Sequence, residues 1–199
     1  MKINSNEKLI LTDCDGVMLN WVSAFDGWMA SKGYVKSDLD VYDMSKVYGI
    51  DRDHCTDLIY QFNASAWMGY LKAFRDARSG VAKLVENGYK FVVITSLSLD
   101  RKARLLRIDN IKNVFGEDVV EEVICLDTGA DKDDALTYYT QKYPNAEYWI
   151  EDKFENAEAG LRFGLKCVLI AHGHNENKAN EALIKVDNWA DITDLVLNN

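Results

Sequence analysis

Leu9-Ile10-Leu11-Thr12-Asp13-Cys14-Asp15-Gly16-Val17 is the stretch that decides the fold. An aliphatic run ends in two carboxylates one residue apart, and a glycine follows where the chain can turn. A nearly continuous apolar run fits a strand covered on both faces, and such strands belong to parallel sheets. The two acids then stand at the carboxyl edge of the sheet, where ligands gather in open α/β folds. Alone, Asp-x-Asp-Gly also fits an ordinary turn or part of a calcium loop.

Outward from this stretch the alternation continues. Phe91 to Thr95, Glu122 to Leu126, Tyr148 to Ile150 and Cys167 to Ile170 read as further strands, with a short sixth at Val186-Asp187. Between them lie helical segments. Ser79 to Val85 is followed by Asn87-Gly88, Asp131 to Lys142 stops before Pro144, Phe154 to Phe163 is closed by Gly164, and Ile192 to Leu197 forms the last. This pattern predicts an α/β fold with a parallel sheet flanked by helices and right-handed crossovers.

One interval is too long. Roughly 75 residues separate the first two strands, more than a simple crossover needs. Trp21, Phe25, Trp28 and Met29 recur at helical spacing, as do Cys55, Leu58, Ile59 and Phe62, so two amphipathic helices are expected there. The insert is placed at residues 20–74, with short hinges near Asn20 and Arg75, and the core at 1–19 and 75–199.

Composition excludes several classes. With 199 residues, 48% hydrophobic and 28% charged, the chain matches an ordinary globular protein, one core with a modest insertion. A net charge of −9 argues against a nucleic-acid polymer or an anionic membrane as partner, so an anionic ligand needs a metal or a dedicated cationic site. No apolar run reaches the ~20 residues of a membrane span. The N-terminus offers Lys2 and polar residues where a secretory signal would be hydrophobic, which reads as cytoplasmic. Cys14, Cys55, Cys125 and Cys167 form no C-x-x-C pair and read as isolated buried thiols.

Several strand ends carry chemistry. The second strand ends in Thr95-Ser96, Lys132 opens a helix, and the fourth strand runs into Glu151-Asp152. All face one rim. Carboxylates can hold a divalent cation, hydroxyls and a lysine can bind phosphate oxygens, and one aspartate is free to attack.

In this ordered set the sequence resembles the haloacid dehalogenase (HAD) superfamily of phosphotransferases. Asp13-Cys14-Asp15-Gly16-Val17 is similar to its first motif, Thr95 with Ser96 to the second, Lys132 to the third, and Glu151-Asp152 with Asn156 to the fourth. The resemblance implies a Rossmann-like sheet, with a small helical cap inserted after the first strand. It implies Asp13 as nucleophile, Asp15 as acid and base, Thr95 and Ser96 as hydrogen-bond donors to a phosphoryl oxygen, and Lys132 as the neutralising cation. It further implies Mg²⁺ held by Asp13, the Asp15 backbone carbonyl and Asp152, with Glu151 or Asn156 acting directly or through water. The fourth motif departs from the common Asp-Asp or Gly-Asp form. Cys14 should point away from the acids by strand alternation.

Half of the chain's tryptophan, tyrosine and phenylalanine residues lie within residues 20–74. Phe25 and Trp28 are the rings expected to reach the substrate, because aromatic stacking holds a nucleobase. The opening motif with this aromatic insert resembles the 5′(3′)-deoxyribonucleotidase branch, which implies a small phosphorylated substrate such as a nucleoside monophosphate. A sugar phosphate phosphatase, a phosphotransferase, and a receiver-like module that binds Mg²⁺ and phosphate without turnover are the alternatives. Arg101, Lys102, Arg104 and Arg107 read as a solvated helix face, and His172 and His174 as loop residues rather than metal ligands.

Overall fold

β1 (Lys8–Thr12) is buried from Leu9 to Thr12 and lies inside a parallel sheet between β2 (Tyr89–Ser96) and β4 (Ala146–Glu151). The computed structural model describes residues 8–198. Residues 1–7 and 199, including Lys2 and the ends of the expected core segments, lie outside the described residues. With β3 (Val120–Leu126), β5 (Lys166–Ile170) and β6 (Ile184–Val186), the sheet has the order β3-β2-β1-β4-β5-β6, every neighbouring pair parallel. This is the α/β, Rossmann-like parallel sheet flanked by helices that the sequence indicated.

Side chains of one strand feed two cores. Ile10, Phe91, Val93, Ile150 and Val168 pack with α4 (Ala77–Glu86), α5 (Arg101–Phe115) and α8 (Trp189–Leu197). Leu9, Leu11, Val92, Ile94 and Trp149 pack with α6 (Asp133–Lys142) and α7 (Phe154–Leu161). Strand alternation sends successive residues to opposite faces, so a continuous apolar run covers both. The sequence order reverses direction between β1 and β4, which opens the crevice where such sheets bind ligands.

Between β1 and α4 the chain forms α1 (Trp21–Ser31), α2 (Met44–Tyr48), α3 (Arg52–Asn63) and a 3-10 turn (Ala66–Gly69). Asn20 accepts from Ser23 N at 3.0 Å and starts α1, and Asp51 accepts from the amides of Asp53 and His54 to start α3. The five residues of α2 make too short a helix to leave a periodic signal. Where the sequence suggested hinges, the two connections run side by side: Asn20 N donates to Lys72 O at 2.9 Å, and Phe74 N to Met18 O at 2.8 Å. Among the described residues, no helix is long and apolar enough to cross a membrane. The four cysteines are buried and unpaired with one another.

Candidate active site

Asp13 is the first residue beyond β1, and its amide donates to Ile150 O at 2.8 Å, so the ladder between β1 and β4 fixes its direction. The chain then turns at Gly16, where φ is +76° and a Cβ would stand 2.5 Å from Asp152 Oδ2. Only glycine accepts that backbone and that proximity. Thr95 and Ser96 end β2, Lys132 occupies the N-cap of α6, and Asp152 follows β4. Asp13, Asp15, Thr95, Ser96, Lys132, Asp152 and Asn156 all border one cavity of about 410 Å³.

Lys132 organises the charges. Its side chain is 1% exposed, and Nζ lies 2.7 Å from both Asp13 Oδ1 and Glu151 Oε1. Burial alone would depress the lysine, but Asp13 and Glu151 outweigh it and hold the ammonium above its ordinary pKa. Burial pushes Asp13 up, against Lys132 and with Glu151 and Asp15 adding to the rise. Asp152 is raised by burial, then by Glu151 and Asp13. Burial also works against ionised Glu151, yet Lys132 and the hydrogen bonds it accepts bring its pKa below the ordinary glutamate value. One buried lysine thus serves three buried acids. Thr95 Oγ1 is buried without a hydrogen-bond partner.

Several assignments change in three dimensions. Glu151 does not border the cavity, and its oxygens accept from Lys132 Nζ, Asn156 Nδ2 and the amides of Asp152 and Lys153 at 2.7–2.8 Å. A carboxylate offers about four lone-pair sites. All are taken, so Glu151 positions Lys132 and Asn156 instead of standing free as a ligand. Ser96 borders the cavity, but its hydroxyl donates to Ala130 O at 2.7 Å and tethers the loop leading to Lys132.

Phe25 and Trp28 do not reach the cavity. Phe25 is fully buried and Trp28 7% exposed, and both pack against Phe62, at 5.3 and 5.7 Å between ring centroids. A helical insert needs a core of its own, and these rings supply it. Trp21, Tyr42 and Phe74 are the aromatic residues at the cavity wall.

Arg107 is the residue that sequence reasoning missed. Arg101, Lys102 and Arg104 form the solvated face of α5, whereas Arg107 is fully buried. Its Nη1 and Nη2 donate to Asp15 Oδ1 and Oδ2 at 2.6 and 3.0 Å. Nη1 also meets Cys14 Sγ at 2.8 Å, so Cys14 shares the cation of Asp15 instead of turning away from it. The available signal was spacing: Ala103, Arg107, Asn110 and Ile111 form the buried face at i, i+4, i+7 and i+8.

The two histidines brace the rim. His172 Nε2 lies 2.8 Å from Gly16 O and His174 Nε2 3.1 Å from Asp152 O. A carbonyl only accepts, so both Nε2 atoms carry hydrogen. Burial pushes His172 down to about 4. Tyr42, from the segment between α1 and α2, packs edge-on against His174 at 5.3 Å and brings the insert over the core. Gly173 admits the Asp40 carboxylate where a Cβ would collide with it.

Carboxylate oxygens of Asp13, Glu151 and Asp152 lie within 4.8 Å of one another and can hold a metal ion. With Glu151 saturated, Asp13 and Asp152 are the free donors. Hard oxygen ligands suit a hard divalent cation, and buried acids in excess of buried cations are the charge pattern such an ion relieves. Asp152, His172 and His174 form a second such group, but the Nε2–H bonds to carbonyls keep those nitrogens from ligation in this arrangement.

A hydrolase of the haloacid dehalogenase-like family from Streptococcus pneumoniae superposes with a TM-score of 0.66 over 96% of this chain and 98% of its own, at 12% sequence identity. The chain has the haloacid dehalogenase-like fold. An L-2-haloacid dehalogenase from Xanthobacter autotrophicus, with chloropropionic acid covalently bound, is similar with a TM-score of 0.62, 12% identity and coverage of 96% and 98%. D,D-heptose 1.7-bisphosphate phosphatase from B. bronchiseptica, complexed with magnesium and phosphate, gives 0.60, 14% identity and coverage of 96% and 98%. An uncharacterized 32.4 kDa protein of Enterobacteria phage T4, from the Gp30-rIII intergenic region, is 27% identical over 192 residues, which span 92% of this chain and 67% of that protein. No family model matches the chain.

Proposed function

We propose that the protein is a Mg²⁺-dependent phosphomonoesterase that works through a phosphorylated aspartate. The observation that carries the reading is the meeting, around one cavity, of Asp13, the buried Lys132 at 2.7 Å from it, and the unpartnered hydroxyl of Thr95. Similarity to a phosphatase with magnesium and phosphate bound adds support.

In this reading Asp13 attacks phosphorus while the bond to the leaving alcohol breaks, and Asp15, which enters this step protonated, gives that oxygen its proton. Water then attacks the aspartyl phosphate, Asp15 takes its proton, and phosphate leaves with Asp13 restored. Thr95 Oγ1 donates to a phosphoryl oxygen, which gives that buried hydroxyl its missing partner. Lys132 favours the ionised form of Asp13 against the effect of burial and offsets charge on the transferred group. Asp13 and Asp152 would hold Mg²⁺, which would supply Lewis-acid stabilisation of phosphoryl charge.

The substrate in this reading is a small phosphomonoester with a partly apolar body, a nucleoside monophosphate first among candidates. Trp21, Val22, Leu39, Met44 and Ile59 line the cavity beside Asn20 and Asn63 and give it partly apolar walls. Trp21 and Tyr42 replace Phe25 and Trp28 as the rings available to a base.

The test is hydrolysis of p-nitrophenyl phosphate and a panel of nucleoside monophosphates, with Mg²⁺ and with EDTA, by wild type and Asp13→Asn. Activity should require metal and vanish in a folded Asp13→Asn protein. Turnover in EDTA, or by that variant, would overturn the mechanism.

A further inference from the structure

No residue of α5 borders the cavity, yet α5 sends a fully buried guanidinium to one of the cavity's two leading acids. A buried arginine is a poor device for stability, since apolar side chains of similar volume usually serve as well or better. Nor does Asp15 need it for solvation: its side chain is 25% exposed. What a guanidinium provides is direction. An aspartate has two free torsions, and a planar fork that binds both oxygens fixes both.

The fork is itself held. Asp100 accepts from Ala103 N at 2.9 Å and sets the start of α5. One turn beyond Arg107, Asn110 accepts from Leu71 N at 3.2 Å and donates to Leu71 O at 2.9 Å, which locks the helix to the strand of chain returning from the insert. The contact of Nη1 with Cys14 Sγ at 2.8 Å ties the guanidinium to the residue between the two acids.

We infer that Arg107 is the positioning residue for Asp15: it fixes the direction of the carboxylate that exchanges the proton with oxygen at phosphorus. The inference rests on the role given to Asp15 above. Arg107 touches neither substrate nor transferred group; it acts through Asp15 alone.

Proton donation matters more as the leaving group becomes more basic, so the test uses two esters. p-Nitrophenyl phosphate departs with little help, and benzyl phosphate needs a proton. The parameter is kcat/KM, which reports the first transfer to Asp13. Four proteins are compared: wild type, Asp15→Asn, Arg107→Met and the double variant. Arg107→Met should lose about 100-fold in kcat/KM on benzyl phosphate and only a few-fold on p-nitrophenyl phosphate, within the ~10²–10⁴ span of general acid catalysis. In the Asp15→Asn background the arginine substitution should bring no further loss, because the two changes remove one interaction. Arg107→Lys keeps the charge without the fork and should fail to rescue benzyl phosphate. Melting temperatures in EDTA, a readout independent of turnover, should show the same non-additivity.

Equal losses on both esters, additive losses in the double variant, or rescue by lysine would overturn the positioning role while leaving the phosphatase reading intact. Should Arg107→Met fail to fold, Arg107→Gln and Arg107→Lys carry the same comparison. A wild-type protein inactive on every phosphomonoester would overturn the phosphatase reading, and the inference with it.

Discussion

Lys132→Met removes a charge at nearly constant volume and leaves Asp13 and Glu151 buried, each without the ammonium that now stands 2.7 Å away. Breaking a buried pair by deleting one partner costs about 3–5 kcal/mol. The loss should depend on pH, and the sign follows from proton linkage. In the wild type the folded pKa of Glu151 is lowered, so its contribution to stability is present above its unfolded value of 4.5 and is lost as pH falls. In the variant only the hydrogen bonds from Asn156 and the amides of Asp152 and Lys153 still oppose burial, so that folded pKa rises and stability falls as pH climbs. The difference between the proteins should therefore be about 3–5 kcal/mol near pH 8 and shrink to about 1–2 kcal/mol near pH 5, where the acids take up protons. Urea unfolding in EDTA, followed by circular dichroism at both pH values, measures it. A difference that is flat with pH, or below about 1 kcal/mol at the higher value, would refute the assignment of Lys132 as counter-ion to the buried acids.

Thr95→Val deletes a buried hydroxyl that has no partner, so stability should hold or rise by about 1 kcal/mol, while kcat/KM for phosphomonoesters falls ~10²–10³-fold; a destabilised but fully active variant would contradict the donor role. Because burial pushes His172 from 6.5 down to about 4, the unfolded chain binds a proton between those values that the native protein refuses. The stability of wild type relative to His172→Gln should accordingly drop by roughly 3 kcal/mol between neutral pH and about pH 4, and an unchanging difference in chemical denaturation would rule this out. Phe25→Ala should cost about 3–5 kcal/mol of stability with no change in substrate preference. Trp21→Ala, by contrast, should raise KM for nucleoside monophosphates over that for p-nitrophenyl phosphate by ~5- to 100-fold, and a uniform KM change would remove Trp21 from the substrate site.

The parallel sheet was legible because each strand is written locally, although the sixth, expected at Val186-Asp187, lies at Ile184–Val186. Apolar runs such as Phe91 to Thr95 can only be satisfied by cover on both faces, and Gly164 and Pro144 mark helix ends through their own backbone limits. The gathering of Asp13, Thr95, Lys132 and Asp152 was legible for the same reason, since parallel strands deliver all their carboxyl ends to one edge.

What a side chain does at that edge was not legible. Arg107 and Arg104 are the same residue type on the same helix, and only the packing of α5 buries one beside Asp15 and leaves the other in water. Phe25 and Trp21 stand one turn apart, and the closure of α1 on α3 decides which fills the insert's core and which faces the cavity. Sequence spacing fixes which positions share a face, but hydrogen-bond partners, burial and the direction of a carboxylate depend on residues distant in the chain, and these meet only when the chain is folded.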